Sequence, residues 1–441
     1  MADISVIDGP VPVVVLIVGA IALVILLARR GRAALVTVAI AVAVALVTLL
    51  GLNWLLTRGL NLFPEALPTV VTLWISLGAA AVVLVVGNLV GTAIGRKVLA
   101  VASGLAVLLA AGSQINVYFA EYPTLGALAG ADGDISPLTG SVRRPSASAA
   151  TPVVDRWTGP ATGKSQVLTT PIPGTASGFA ARDAYVYLPA AYSSPSPPLL
   201  PVVVLVSGQP GGPQDWIVSG QPGGPQDWVT AGNLQAQLDQ FAAANSGLAP
   251  VAVVVDPNGP KDTITMCMDS DIARADTYLS QDVPNWITAE LGVDANHAHW
   301  AFGGFSYGGT CAIQMATRHT QLYPSFIDIS GEREPAISAD RTQTIQAAFG
   351  GDAAGFDALT PLTLLSQHRY PDVWGFFAVG ADDGEFLPAM TVVSAAAQKA
   401  GMTVHTQTVP GQGHSWAVPE AVILPALEWL GPRLGLTRAS S

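Results

Sequence analysis

The pattern of apolar and polar positions changes character near residue 120. Before it, apolar residues run almost unbroken through four stretches, 11–28, 33–56, 69–94 and 98–120. A helix needs about 20 apolar residues to cross a hydrocarbon core, so four membrane-spanning helices are expected. The fourth stretch is interrupted by Ser113, Gln114 and Asn116. A secretory signal is the alternative for the first stretch. It fails because the chain starts acidic rather than basic and three more stretches follow.

After residue 120 the pattern breaks up. Residues 121–165 are rich in Gly, Pro, Ser, Thr and Ala, as in Arg144-Pro145-Ser146-Ala147-Ser148, the composition of a flexible linker. From 166 onward, short β-branched runs alternate with helical ones. Runs at 167–172 and 184–188 read as opening antiparallel strands. Those at 201–206 and 251–255 are continuous enough for strands buried on both faces. Segments 234–244 and 283–291 read as helices, 299–303 as a strand, and 325–329, 374–379 and 403–409 as the remaining strands, with a closing helix at 420–430. This alternation predicts an α/β domain, a mostly parallel sheet flanked by helices, over 166–441. Three segments are therefore expected: a transmembrane region (1–120), a linker (121–165) and a catalytic domain (166–441).

Charge sharpens the division. Half of the 441 residues are hydrophobic and 12% are charged, with a net charge of −11. Residues 1–120 carry six basic and three acidic groups, so the remainder holds −14. An acidic body argues against a nucleic-acid partner. Five of the six basic residues of the first segment, all but Arg58, cluster in two short loops, Arg29-Arg30-Arg32 and Arg96-Lys97. Such loops stay cytoplasmic, which would put the N-terminus, the 58–65 loop and everything after about residue 120 outside. Trp54, Trp74, Tyr118 and Tyr122 fall near the span ends, where interfacial anchors sit. Gly87, Gly91 and Gly95 recur at four-residue spacing and suggest close helix packing.

One repeat stands out: 206–217 reads VSGQPGGPQDWI and 218–229 reads VSGQPGGPQDWV. A single pair is too few for a solenoid and reads as a tandem duplication within one loop. A longer surface loop adds little closure entropy, so the fold should tolerate it.

The chemistry concentrates in Gly304-Phe305-Ser306-Tyr307-Gly308, between a strand-like run and a helix-like one. Gly-x-Ser-x-Gly at such a junction forms a sharp turn that lifts a serine hydroxyl clear of the sheet. Downstream come Asp382 and Asp383 after the 374–379 run, then His414 in Gly413-His414-Ser415-Trp416. The order Ser, Asp, His is that of α/β-hydrolases. Ser306 is expected to be the nucleophile, with His414 as the base that takes its proton. Asp383 is expected to orient His414, with Asp382 as the alternative acid. The backbone N–H of Tyr307 should form one half of an oxyanion hole. The other half should come from the loop after the third strand, at Gln209, since Pro210 has no N–H. Gln221 has the same neighbours in the second repeat copy. Cys267 and Cys311, the two cysteines of the chain, fall in the segment expected outside, which favours a disulfide over two buried thiols. No phosphate-loop or His-Glu-x-x-His metal motif occurs.

Three blocks carry a family resemblance: Thr277-Tyr278-Leu279-Ser280-Gln281-Asp282-Val283-Pro284-Asn285-Trp286, the glycine-rich turn 303–309, and Gly413-His414-Ser415-Trp416. Over roughly 165–435 the chain resembles the esterase D/antigen 85 group of α/β-hydrolases, and its first segment resembles actinobacterial membrane-anchored relatives of that group. The resemblance implies an α/β-hydrolase fold and a Ser306-Asp383-His414 triad without metal or cofactor. It also implies either ester hydrolysis or acyl transfer, as in the mycolyltransferases. His319-Thr320 departs from the His-Pro usual in the family after the elbow helix. A membrane-held enzyme would meet a carboxylic ester of a lipid, glycolipid or cell-envelope component. The alternative is a non-catalytic envelope protein whose hydrolase domain the duplication has disabled.

Overall fold

The structure, a computed structural model, describes residues 4–61, 64–129, 135–140, 142–149, 151–159, 161, 163–208, 224–259 and 263–438. It divides into two units, one of residues 1–131 with 336–343, the other of 132–335 with 344–441.

The first unit is built on four long helices: α1 (Pro10–Leu27), α2 (Arg32–Trp54), α3 (Thr69–Leu89) and α4 (Ile94–Phe119). All four are long and apolar enough to cross a membrane. Helix α4 packs on α1 and α3, and α3 packs on α2. Small residues fill the seams: Ala22, Ala41, Ala80, Ala81 and Ala100 are buried. Large apolar side chains point outward instead, with Leu50 80% and Val47 72% exposed. That inversion suits helices solvated by lipid tails, where packing rather than hydrophobic burial draws them together. Among the described residues of the second unit, the one exposed large hydrophobic is Val392, at 38%.

Glycine does mediate close packing here, but not as the four-residue stripe suggested. A Cβ on Gly87 would meet Thr37 at 2.2 Å, whereas one on Gly91 or Gly95 would meet nothing. Gly91 lies in the turn after α3 and Gly95 at the start of α4, so the stripe is broken by the turn. Gly19 and Gly104 close the other seams, against Ala110 and Val85. At the end carrying the basic loops, arginines cap helix carbonyls. Arg96 donates to Ile25 O and to Asn88 Oδ1, Asn88 donates to Leu26 O, and Arg29 donates to Gly87 O. Each guanidinium thereby satisfies carbonyls orphaned at a helix C-terminus.

The second unit is an eight-stranded sheet in the order β1-β2-β4-β3-β5-β6-β7-β8. Its strands are β1 (Gln166–Thr170), β2 (Ala184–Leu188), β3 (Val202–Val206), β4 (Val251–Val255), β5 (Trp300–Phe305), β6 (Ser325–Ile329), β7 (Trp374–Gly380) and β8 (Thr403–Val409). The pairs β1–β2 and β2–β4 are antiparallel, and β3 through β8 run parallel. Every residue of β3 and β4 is buried, as their β-branched runs require. Strand β8 closes one edge, and its polar Thr-x-His-Thr-Gln-Thr face is correspondingly open. Helices α5 (Leu234–Ala244), α6 (Val283–Glu290), α7 (Tyr307–Arg318), α8 (Phe386–Lys399) and α9 (Ala417–Leu430) cover the sheet. Because β5, β7 and β8 are parallel, their C-terminal ends open on one rim.

Much of the stretch expected to be a linker has fixed contacts within this unit. Arg144 N–H donates to Glu290 O, Ser146 N–H to Thr288 O, and Arg143 pairs with Glu290 at 2.7 Å. Glycine- and serine-rich composition masks the first two bonds because they run through backbone atoms.

Candidate active site

The site grows from the end of β5. Ser306 stands between β5 and α7 with φ 60° and ψ −126°, a strained backbone for a residue with a Cβ. The flanking glycines make that turn sterically feasible. A Cβ on Gly304 would lie 2.3 Å from the Gly308 carbonyl, and one on Gly308 would lie 2.4 Å from Val206 O. Ser306 N–H donates to Ile329 O of β6 at 2.7 Å, which anchors the turn to the sheet.

Two loops from the neighbouring strand ends meet Ser306. After β7, Ala381 N–H donates to Val409 O and Asp382 N–H to Gln412 O, so this loop zips against the loop after β8. Gly380 lies too close to Gln412 O for any side chain, at 2.3 Å from a built Cβ. The zipped loops bring Asp383 and His414 together. His414 Nδ1 lies 3.0 Å from Asp383 Oδ2, and its Nε2 lies 2.8 Å from Ser306 Oγ. Asp383 is 5% exposed, and its Oδ1 also accepts Phe386 N–H at 3.1 Å. Asp382 is exposed and serves the loop through its backbone.

The imidazole is also held by rings. Phe386 stacks on it at 4.1 Å between centroids and Phe305 at 4.9 Å. Trp416 packs on Phe305, and Trp228 meets Trp416 edge-on. Ring stacking and the two hydrogen bonds together fix the orientation of the imidazole in this structure. Sequence reasoning missed the rings, although Phe305 lies inside the motif itself.

Tyr307 opens α7, so its N–H belongs to the helix-terminal donors without an intrahelical acceptor. Gln209 and Gln221 both lie outside the described residues. Gly208 does not: a Cβ there would stand 3.4 Å from Ser306 Cβ. The second repeat copy supplies a short helix, Pro225–Val229, whose buried Trp228 donates to Val206 O at 3.0 Å. Cys267 and Cys311 are joined, with Cα atoms 5.6 Å apart. The remaining histidines are engaged elsewhere. His299 pairs with Asp294, His319 with Asp276, and His405 stacks on Phe376.

Asp328, at the end of β6, is a buried acid that sequence reasoning did not single out. Its Oδ1 accepts Gly331 N–H at 2.9 Å, yet burial pushes the carboxyl up to about 7. Gly309 of α7 leaves room for it, since a Cβ there would be 2.5 Å from Oδ1.

The Esterase family model matches residues 180–419. An uncharacterized protein of Corynebacterium glutamicum, Cgl0967/cg1104, is 34% identical over 384 residues, covering 85% of this chain and 84% of that one. Among solved structures, a ferulic acid esterase superposes at a TM-score of 0.51 with 16% identity, over 62% of this chain and all of the other. MPT51 (FbpC1) of Mycobacterium tuberculosis aligns at a TM-score of 0.41 with 20% identity, over 61% of this chain and 96% of the other. The family model covers the sheet from β2 onward, the serine turn and the loop bearing His414. The chain thus belongs to the esterase family of hydrolases, with an α/β-hydrolase fold and four long apolar helices before it.

Proposed function

We propose that this protein is a membrane-anchored serine esterase or acyltransferase whose catalytic unit faces away from the cytoplasm. Ser306 attacks an ester carbonyl while His414 Nε2 takes its proton, and Asp383 holds the imidazole tautomer. The tetrahedral oxyanion is received by Tyr307 N–H and a second backbone donor, for which Gln209 is the candidate. His414 then protonates the leaving alcohol. Water, or a sugar or lipid hydroxyl, attacks the acyl-enzyme and regenerates Ser306. The observation that carries this reading is His414 bridging Ser306 Oγ at 2.8 Å and Asp383 Oδ2 at 3.0 Å. An ester substrate follows from the family; a lipid or envelope ester is supported by the four apolar helices.

A fluorophosphonate probe tests the chemistry. Labelling of the full chain, abolished by Ser306→Ala, is expected; a folded wild-type protein that resists the probe would refute it. The basic residues of both short loops, Arg29-Arg30-Arg32 and Arg96-Lys97, support the orientation. A reporter fused after Ser441 should be active only on the far side of the membrane, and cytoplasmic activity would reverse the topology.

A further inference from the structure

The structure assigns to the Tyr307 side chain, and to the disulfide-tied loop it grips, the positioning of the Tyr307 backbone N–H as an oxyanion donor, a role that rests on the serine-esterase reading above. Tyr307 is 1% exposed. Its phenol oxygen accepts Cys267 N–H at 2.9 Å and lies 2.9 Å from Thr265 Oγ1. The Thr265 hydroxyl spends its proton on Pro257 O at 2.7 Å, so Tyr307 is the donor in their shared bond. Burial raises the phenol's affinity for its proton and keeps it a donor.

The loop it grips does not adopt a relaxed conformation. Met266 and Cys267 are consecutive left-handed residues, with φ 57° and 48°. Such residues persist where their surroundings over-determine them. Three further links to α7 do so here: the Cys267–Cys311 bond, Gln314 Nε2 donating to Met266 O at 3.0 Å, and Arg318 donating to Cys267 O at 2.7 Å.

The same chain of bonds reaches Gly208, which follows β3. Pro257 belongs to the turn after β4, where Asp256 accepts from Asn258 N–H and Gly259 N–H. From that turn Asn258 Nδ2 reaches Gly208 O at 3.4 Å, and Gly208 abuts Ser306. Tyr307, Thr265, the 256–259 turn and Asn258 therefore connect the residue after the nucleophile to the turn after β3. Tyr307 contributes a backbone N–H to the reaction and uses its side chain to fix where that N–H points.

The test uses the full chain in detergent, a soluble p-nitrophenyl ester, and kcat per active site titrated with fluorophosphonate. Tyr307→Phe keeps the ring and removes the hydroxyl. It should lower kcat about tenfold with KM within twofold, and weaken a trifluoromethyl ketone inhibitor by the same factor. Cys267→Ala/Cys311→Ala should do likewise, and Tyr307→Phe added to it should cost little more, because both cut one network. A merely structural role would lower the titratable fraction and leave kcat per site alone. If Tyr307→Phe keeps kcat per titrated site within twofold, the positioning role is wrong, whether or not the cysteine variant folds. Wild-type protein that takes no fluorophosphonate would instead remove the serine-esterase reading, and this inference with it.

Discussion

Replacing Asp383 with asparagine isolates one bond of the proposed triad without changing its shape. In the native arrangement the carboxylate accepts on both sides, from His414 Nδ1–H at Oδ2 and from Phe386 N–H at Oδ1. An amide has one acceptor and one donor group. If its oxygen stays with Phe386, its NH2 faces Nδ1 and drives the proton to Nε2. The base then has no lone pair for the Ser306 hydroxyl 2.8 Å away. If the amide flips, NH2 confronts the Phe386 N–H 3.1 Å away. Burying two opposed donors costs on the order of 1–3 kcal/mol, so the first orientation dominates. The expected loss in kcat is about 10³–10⁴, or roughly 4–5 kcal/mol of barrier. KM should stay within about threefold, since no substrate contact is removed. Asp382→Asn should change kcat less than about twofold, because that side chain is exposed. Titrated kcat and KM on a soluble ester decide it. Equal losses in both variants, or a loss below tenfold for Asp383→Asn, would refute the assignment of the acid.

Three further outcomes follow from the geometry. Asp328 holds its proton up to about pH 7 in the folded state against 3.8 for the free side chain, so the folded state binds that proton more tightly. Its contribution is complete below about pH 4 and is lost as pH rises to 7. The stability difference between Asp328→Asn and wild type should therefore grow by up to about 4 kcal/mol over that window in denaturant titrations, and a pH-independent difference would count against it. Cys267→Ala/Cys311→Ala opens a loop of 44-residue separation and should lower stability by about 4 kcal/mol by the same assay. Gly304→Ala places a methyl 2.3 Å from a backbone carbonyl that cannot rotate away, so fluorophosphonate labelling should slow at least about a hundredfold even where circular dichroism shows a folded protein.

The parts of this molecule legible in the sequence are those governed by local pattern. Strands β3 and β4 are five-residue apolar runs, four of five residues β-branched in each, buried on both faces, and no helical periodicity competes with them. Ser306, Asp383 and His414 each follow a strand, and parallel strands deliver such residues to one rim. Asp383 is distinguishable from Asp382 because the turn at 380–382 uses its backbone to zip onto the β8 loop and leaves the next side chain facing inward. What stayed hidden depends on elements far apart in the chain. The Gly87 seam depends on Thr37 of α2, and the hold of 142–149 on the hydrolase unit depends on carbonyls of α6. Helices Arg341–Phe349 and Pro361–Gln367 lack a strong apolar stripe, which is why no element was expected there.

The serine turn shows why local strain and distant packing belong to one design. Ser306 adopts a backbone that few non-glycine residues tolerate, and Met266, Cys267 and Ser330 around it do the same. Each is restrained by a neighbour rather than by its own preferences: Ser306 by Ile329 O, Ser330 by Ala378 O, Cys267 by Tyr307 and Cys311. A residue that a neighbour holds away from its own energy minimum relaxes when that brace is cut. Substitutions at Ser330 or Thr265, outside the motif in sequence, should therefore disturb the geometry at Ser306 more than substitutions at exposed residues of α8. A motif of five residues marks the candidate nucleophile, but the conformation of that turn is held by strands and loops the motif does not contain.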